Sequence, residues 1–398
     1  MAGSRLVFNS AILLSFVIGL EILIMISPFA VFFYAAFNPF LLSLVQHSAT
    51  RWLAAFFLPH MVMPADPILQ ALRVSGSFLF LGGAAVFLVC AIQVYANKFL
   101  ERGVAMKGLY LFVRHPQYAG LAATGLGLAI LWPRFLVIAL WSVMLVLYYL
   151  LAADEERRML RQYKSQYGRY MAGTGMFLPR SLESRLPRII PAKPGWVWGL
   201  ALAGGVIALT VAGAFGMRAY TVHSLPLWSE GNVTVLPIMP RESFMVEHRM
   251  VQVLEIPQIR RRLASGAGQY LAYFMDPGYI MQGMIADTGG EWRLYMQHKT
   301  LPMIMDWIIH PFKHLEGGYC TIHPASGMQS SGNGVLRRLI FVCIDITGRN
   351  ALPSDLFSLS VPREPVFYAD VDIHNLVLKS IHDLPAETGW GRMPTPMF

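Results

Sequence analysis

A long apolar stretch joins two polar clusters in this chain, and it constrains the fold more than any other feature. The first cluster is residues 107–120, KGLYLFVRHPQYAG; the second begins at residues 153–160, ADEERRML, and runs on to Tyr170. About 30 mostly apolar residues separate them, the length of two membrane-spanning helices joined by a turn at residues 132–134. A chain that crosses a membrane and returns ends on its starting side. We therefore predict that both clusters face the same side of the bilayer.

The composition is typical of a protein that is partly embedded in a membrane. Hydrophobic residues make up 55% and charged residues 14% of the 398 residues, and the mean hydropathy is +0.48. Residues 1–218 hold 18 Lys+Arg and 7 Asp+Glu, whereas residues 219–398 hold 14 and 16. A basic membrane region reflects topology and contact with anionic lipid. Because no nucleic-acid-binding motif accompanies it, nucleic acid is not an expected partner.

Apolar stretches predict an α-helical polytopic membrane domain with about five transmembrane helices. The five stretches are residues 11–37, 73–97, 117–132, 135–153 and 195–217. Residues 38–71 are mixed, and Pro59, Pro64 and Pro67 interrupt any helix there, which predicts an interfacial or re-entrant segment. Glu21, in the first stretch, marks either an intramembrane functional position or a place one turn from the interface.

The basic residues predict the orientation of these helices. They concentrate in residues 98–114 and 157–193, which lie on one side if the third and fourth stretches form a hairpin. Because basic residues favour the cytoplasmic side, we place both polar clusters and the N-terminus in the cytoplasm. Five crossings then place residues 219–398 on the far side, which is the periplasm if the membrane is a bacterial inner membrane.

The chain after residue 218 changes character and predicts an α+β extracytoplasmic domain. Alternating apolar residues predict strands at residues 232–237, 250–256, 292–296 and 335–346, and helices are expected at 258–274 and 370–383. The domain division is therefore residues 1–218 for the membrane domain and 219–398 for a domain whose role is open. About 170 residues suffice to bury a core.

The cysteines and histidines of this tail leave two alternatives open. Cys320 and Cys343 form one disulfide if the tail lies outside the cytoplasm, and neither belongs to a CxxC pair that would favour zinc. His310, His314 and His323 either bind a metal or are ordinary surface and core histidines. The second reading is the commoner one, so no metal site is predicted.

The first polar cluster places a basic pair at a helix start. Proline is favoured at the first helical position, so Pro116 predicts that Arg114 and His115 lie immediately before the third stretch. Unpaired N–H groups at a helix N-terminus attract anions such as carboxylates. The alternative is a basic membrane anchor with a capping histidine.

The second polar cluster places three acids at a membrane exit. Asp154, Glu155 and Glu156 are costly there unless cations offset them. Either Arg157, Arg158 and Arg161 do so, or the acids form a site for an ammonium, a sulfonium or a metal ion. Combined with the basic pair, they suit a zwitterionic ligand.

Taken together, the two clusters resemble a known enzyme family. The pattern Gly108-x-Tyr-x-x-Val-Arg-His-Pro-x-Tyr-x-Gly120, then Glu155-Glu-x-x-x-Leu-x-x-Tyr-x-x-x-Tyr-x-x-Tyr170 and Phe177-Leu-Pro179, is similar to isoprenylcysteine carboxyl methyltransferases and their phospholipid methyltransferase relatives. The resemblance covers roughly residues 75–180, the methyltransferase-like core of the membrane domain. It implies an integral membrane enzyme that binds S-adenosylmethionine at the cytoplasmic membrane face, without a metal.

The resemblance also implies roles for individual residues. Cofactor-binding residues would be Tyr110, Arg114, His115, Tyr118, Glu155 and Glu156. The two glutamates would also be catalytic, because they would face the ammonium and sulfonium side and help to place the nucleophile. The acceptor would be a lipid or a small amphiphile.

The chain departs from the family pattern in two places, and two rival functions remain. The family usually has Phe-Gly where this chain has Tyr163-Lys164, and commonly Pro in place of Gly175, which affects acceptor recognition. Sterol-reductase-like enzymes share the Arg-His-Pro region and bind NADPH, although Glu155-Glu156 favours a sulfonium over an anionic dinucleotide. The third reading is a non-catalytic membrane subunit whose tail binds a periplasmic protein.

Overall fold

The computed structural model describes the central part of the membrane region and most of one sheet. The described residues are 44, 47–60, 62, 64–100, 104–185, 196–266, 268–277, 285–286, 292–293, 335–344, 346, 353–359, 361 and 363–384. They divide into two compact units. The helical unit contains residues 75–132 and 136–214, and the sheet unit contains residues 44–74, 133–135 and those from 215 onward.

Eight α-helices occur in the described residues. They are α1 (Arg51–Ala54), α2 (Pro67–Phe99), α3 (Pro116–Leu131), α4 (Phe135–Gly173), α5 (Arg180–Glu183), α6 (Trp196–His223), α7 (Ser243–Leu254) and α8 (Pro257–Ser265). Short 3-10 helices occupy Gly108–Leu111, Pro240–Glu242 and Pro353–Phe357.

Three of these helices, α2, α4 and α6, are long and apolar enough to cross a membrane by length and composition. They contain the predicted stretches 73–97 and 135–153 and, from residue 196 onward, the stretch 195–217, so the described chain supports a polytopic helical region. The predicted stretch 117–132 coincides with α3, which has 16 residues and is shorter than the roughly 20 residues of a typical span. The stretch 11–37 and Glu21 lie outside the described residues, so the number of five remains a prediction.

Helices α2, α3 and α4 pack closely within the helical unit. A Cβ atom added to Gly120 of α3 would lie 2.8 Å from the carbonyl oxygen of Gly83 in α2, so the two backbones are in direct contact. On the other side of α3, Trp141 of α4 donates its Nε1–H to the carbonyl of Ala122 at 2.9 Å. These contacts fix the N-terminus of α3, where the first polar cluster lies.

Helix α4 continues well past its apolar part. The predicted span ended at residue 153, whereas the helix has 39 residues and ends at Gly173. It is interrupted at Lys164, whose φ of 42° and ψ of −119° are non-helical. The polar extension, residues 154–173, therefore carries the acids and the tyrosines on a helical frame.

Eight strands occur in the described part of the sheet unit. They are β1 (Trp228–Glu230), β2 (Val233–Pro237), β3 (Gln269–Met275), β4 (Ile285–Ala286), β5 (Trp292–Arg293), β6 (Leu336–Ile344), β7 (Arg363–Asp372) and β8 (Val377–Asp383). Six form one sheet in the order β1-β2-β3-β6-β7-β8, and β4 pairs with β5 alone. Only the β2–β3 pair of this sheet is parallel. Helices α7 and α8 make the crossover that a parallel pair requires.

The core of the sheet unit explains one wrong prediction. Residues 250–256 were predicted as a strand, but α7 runs through Leu254. Its buried residues Val246, Met250 and Val253 are spaced four and three apart, which is the helical period, and they pack against the sheet. The prediction used only seven residues, in which apolar residues alternate, and the helical spacing becomes visible only when Val246 is included.

Two predicted helices in the tail are also wrong, wholly or in part. Residues 258–274 begin as α8, but Gly266 and Gly268 follow its end and the chain continues as β3. Residues 370–383 are the end of β7, a turn and β8. Asp372 nucleates that turn because its carboxylate accepts hydrogen bonds from two following backbone N–H groups, a local signal for a hairpin.

The strands predicted at 232–237 and 335–346 are confirmed as β2 and β6. Of the strand predicted at 292–296, only Trp292 and Arg293 lie in the described chain, as β5. Cys320 and the three tail histidines lie outside it, so the disulfide and metal alternatives stay untested.

Residues 54–60, in the proline-containing segment before α2, are buried. Phe57 donates its N–H to Pro133 at 2.8 Å, and Phe135 donates to Ala55 at 3.1 Å. Arg134 is 1% exposed and its guanidinium lies 4.3 Å from the ring centroid of Phe56. The turn between α3 and α4 is thus paired with part of the segment that was predicted to be interfacial or re-entrant.

Candidate active site

The first polar cluster forms a short parallel ladder with the chain that follows α4. Arg114 donates its backbone N–H to Gly175 at 2.8 Å, and His115 donates to Met176 at 3.1 Å. Helix α3 begins at Pro116, as predicted, with His115 at its N-cap. The ladder brings the residues before α3 next to the polar extension of α4.

Arg114 and Glu156 form a buried ion pair across 42 residues of sequence. The Nε of Arg114 lies 2.5 Å from Oε1 of Glu156, and their side chains are 8% and 11% exposed. Nη1 of Arg114 also donates to the carbonyls of Met171, at 3.2 Å, and Thr174. The guanidinium therefore fastens both the acid and the end of α4.

His115 lies between the two glutamates. Its Nε2 is 3.2 Å from Oε1 of Glu156, so the ring donates there, and its Nδ1 is 3.6 Å from Oε2 of Glu155. Nδ1 is buried and has no hydrogen-bond partner among the described residues. In the neutral ring that donates from Nε2, Nδ1 is an acceptor and faces a second acceptor, the Glu155 carboxylate. The Glu155 side chain is 34% exposed.

Aromatic rings enclose this histidine. The ring of Tyr118 stacks on His115 at 5.7 Å between centroids and on Tyr148 at 5.1 Å, and Phe177 lies 6.0 Å from His115. Tyr118 and Tyr148 are buried. The rings exclude water from one side of the histidine.

Tyr110 connects the residues before α3 to helices α3 and α4. Its hydroxyl donates to Oε1 of Gln117 at 3.0 Å, and its carbonyl accepts from the hydroxyl of Tyr170 at 2.7 Å. Burial raises the pKa of the Tyr110 phenol, and the nearby Cys90 and Glu155 raise it further. The phenol is therefore a protonated donor at neutral pH.

The three consecutive acids separate into different environments. Asp154 is more than half exposed and pairs with Arg157 at 3.4 Å and Arg158 at 3.1 Å along the helix. The first alternative predicted for the acids, neutralisation by neighbouring arginines, therefore holds for Asp154. Glu156 instead faces Arg114 and His115, so part of the basic cluster neutralises part of the acidic cluster.

The structure brings the six predicted site residues into one neighbourhood and adds others. Tyr148 lies within the apolar stretch 135–153 and was not predicted as a site residue. Its hydroxyl, in a mostly aliphatic run, could have indicated a functional position. Glu183 accepts a hydrogen bond from the backbone of Met176 at 3.0 Å and so holds the ladder loop. Glu183 lies outside the recognised motifs, so nothing in the sequence indicated this contact.

Comparison with protein families gives one match. Residues 90–166 match the family model for phospholipid methyltransferase. The matched segment begins in α2, includes all of α3 and ends in the polar extension of α4, so it contains the first polar cluster and the second one as far as residue 166. The predicted resemblance is confirmed over this segment, which indicates a membrane methyltransferase. Comparisons with curated proteins and with solved structures gave no match.

Proposed function

We propose that the protein is an integral membrane methyltransferase that uses S-adenosylmethionine and methylates a lipophilic or small amphiphilic acceptor at the cytoplasmic membrane face. The observation that carries the proposal is the contact of Arg114 and His115 with Glu156. It assembles two distant polar clusters within the segment that matches phospholipid methyltransferases.

The local chemistry fits the cofactor. In the neutral ring that donates from Nε2, Nδ1 of His115 is a buried acceptor without a hydrogen-bond partner among the described residues, and it faces the Glu155 carboxylate. A group with several N–H donors, such as an ammonium, could donate to Nδ1 and to the carboxylate at once. The N-terminus of α3 beside them favours a carboxylate. S-adenosylmethionine carries an ammonium and a carboxylate and, when bound, supplies an electrophilic methyl group.

Arg114 and Glu156 act on the site through each other. The guanidinium holds the Glu156 carboxylate and two carbonyls near the end of α4, and Glu156 in turn orients the His115 ring through Nε2. A fixed ring keeps Nδ1 directed at Glu155. In this assignment Arg114 and Glu156 position the site, whereas His115 and Glu155 contact the ligand.

Glu155 is the group that can serve the acceptor. Its side chain is partly exposed, so the carboxylate can orient the acceptor or accept its proton. Tyr110 and Tyr118 complete the cofactor side, where the stacked rings remove water. Methyl transfer disperses charge, so positioning and dehydration supply much of the acceleration.

Topology and the tail are part of the same proposal. The site would face the cytoplasm of a bacterial inner membrane, with residues 219–398 in the periplasm and available to a partner protein. A reporter fused at Phe398 should be active only if that reporter works in the periplasm. Activity of a cytoplasm-only reporter at that position would refute this topology.

Titration calorimetry on the full chain in nanodiscs tests the function. We expect micromolar S-adenosylmethionine binding, weakened about 10- to 100-fold by His115→Ala and by Glu155→Gln, since each removes a charged or buried hydrogen bond. Asp154→Asn is the matched control, because it removes a neighbouring acid that pairs only with exposed arginines in the described structure. Its binding should equal that of the wild type.

The same assay separates the rival functions. NADPH binding without S-adenosylmethionine binding would favour the reductase, and binding of neither would favour the non-catalytic subunit. Incubation of membranes with methyl-labelled S-adenosylmethionine, followed by separation of lipids, proteins and small molecules, identifies the acceptor class.

A further inference from the structure

A small apolar turn immediately precedes the candidate site. It consists of the 3-10 helix Gly108–Leu111 and Phe112, and we call it the apolar turn. Leu111 and Phe112 are 62% and 63% exposed and Leu109 is 37% exposed, whereas Tyr110 between them is 4% exposed. Large apolar side chains are therefore directed outward by a turn whose one polar aromatic residue is directed inward.

The apolar turn is held firmly in place. Tyr110 is hydrogen-bonded to Gln117 of α3 and to Tyr170 of α4. Gln93 of α2 donates its Nε2–H to the carbonyl of Lys107 at 2.8 Å, and Gly108 provides the positive φ of 65° that starts the turn. Because three helices fix it, the exposure of its apolar side chains is a built feature of the fold.

The surroundings of the turn identify what covers it. The Gln93 contact places the turn beside the last turns of α2, a helix that is long and apolar enough to span a membrane. The outer surface of α2 there is also apolar, since Ile92 and Phe99 of the helix and Leu100 just after it are each more than half exposed. In a spanning helix such a surface contacts lipid acyl chains, and lysines near it extend to the head groups.

The turn is also close to the site along the chain. His115 is three positions after Phe112, which is at most about 10 Å of extended backbone. That length is well within one lipid molecule. An acyl chain against Phe112 and a polar head group near His115 and Glu155 therefore fit the same molecule.

We propose that the apolar turn is inserted among the acyl chains of the lipid leaflet and that it presents bilayer lipid to the site. The insertion stands on the exposure, the anchoring and the continuity with α2. The consequence for the acceptor, a lipid that keeps its acyl chains in the bilayer during the reaction, rests on the proposed methyltransferase function.

Photo-crosslinking tests the insertion independently of any activity. Benzoylphenylalanine in place of Phe112 keeps an aromatic ring there, and the full chain is assembled in nanodiscs of phosphatidylethanolamine and phosphatidylglycerol. After irradiation, mass spectrometry should find a lipid adduct at position 112. The same residue in place of Gln166, which is exposed on the polar extension of α4, should give a several-fold lower yield. Equal yields, or an adduct only with protein, would overturn the insertion.

A second measurement tests the consequence for the acceptor. The double variant Leu111→Asn and Phe112→Asn should reduce transfer of labelled methyl into the nanodisc lipid about tenfold or more, because it removes two apolar contacts. The S-adenosylmethionine dissociation constant should stay within about twofold of the wild type. Unchanged transfer refutes lipid presentation by the turn. Failure of the wild type to bind S-adenosylmethionine refutes the proposed function, and the adduct at position 112 still decides the insertion.

Discussion

Removal of the Arg114 side chain is the most informative single perturbation of this protein. In Arg114→Ala the Glu156 carboxylate, 11% exposed, loses its 2.5 Å partner, and the carbonyls of Met171 and Thr174 lose a donor. Breaking one partner of a buried ion pair costs about 3–5 kcal/mol, because the remaining charge is left uncompensated. In a unit of this size each kcal/mol lowers Tm by about 2–4 °C. We therefore expect the apparent Tm to fall by roughly 6–20 °C.

The assay is thermal unfolding of the full chain in detergent at one scan rate, followed by tryptophan fluorescence. The control is Arg158→Ala, which removes an exposed arginine from a helical pair with Asp154 and should shift Tm by about 1 °C. Glu156→Gln and the double variant complete a cycle, in which the two changes should be far from additive. The reasoning is refuted if Arg114→Ala shifts Tm no more than Arg158→Ala, or if the effects of Arg114→Ala and Glu156→Gln add.

Three further substitutions test other parts of the structure. A Cβ atom on Gly175 would overlap a backbone carbonyl of its own loop, so Gly175→Ala should lower stability by about 1–3 kcal/mol and weaken S-adenosylmethionine binding. Gly173→Ala, with nothing within 4 Å, should be neutral; equal thermal shifts would contradict this account. Lys164→Gly should raise Tm by about 2–4 °C, because it relieves the φ of 42°, and a lower Tm than in Lys164→Ala would count against the strain. The backbone N–H of Leu69, with other donors, lowers the pKa of Asp66 from its ordinary value of 3.8. The ionised carboxylate therefore stabilises the fold at pH values above 3.8, and this stabilisation is lost as the pH falls through the lowered pKa. Wild type and Asp66→Asn should therefore differ in Tm at neutral pH and converge in strong acid, and a constant difference would argue against the linkage.

Local sequence patterns were sufficient where a segment follows a single period over its whole length. The apolar runs within α2, α4 and α6 are long enough to define helices without any tertiary information. The alternation in β2 and β6 likewise predicted strands. In each case the residues that must be buried are neighbours in the pattern, so composition and period agree.

Local patterns failed where tertiary packing selects between two periods. Residues 250–256 alternate like a strand, yet Val246, Met250 and Val253 together form one helical face against the sheet. Residues 370–383 were predicted as a helix, but β7 and β8 pair there across a short turn. Because tertiary contacts decide the secondary structure of such segments, a short window of the sequence cannot predict it.

The sequence by itself predicted which residues meet at the candidate site, because two apolar runs joined by a turn predict a helical hairpin that returns the chain to its starting side. Only the tertiary structure decided which partner each of those residues contacts. It pairs Arg114 with Glu156, leaves Asp154 at the surface and directs Nδ1 of His115 towards Glu155. The reason is geometric: side chains one position apart on a helix are separated by about 100° of rotation, so consecutive acids face different partners. Spacing along the chain places the three acids on the same part of α4, and the residues immediately before α3 determine which carboxylate is buried.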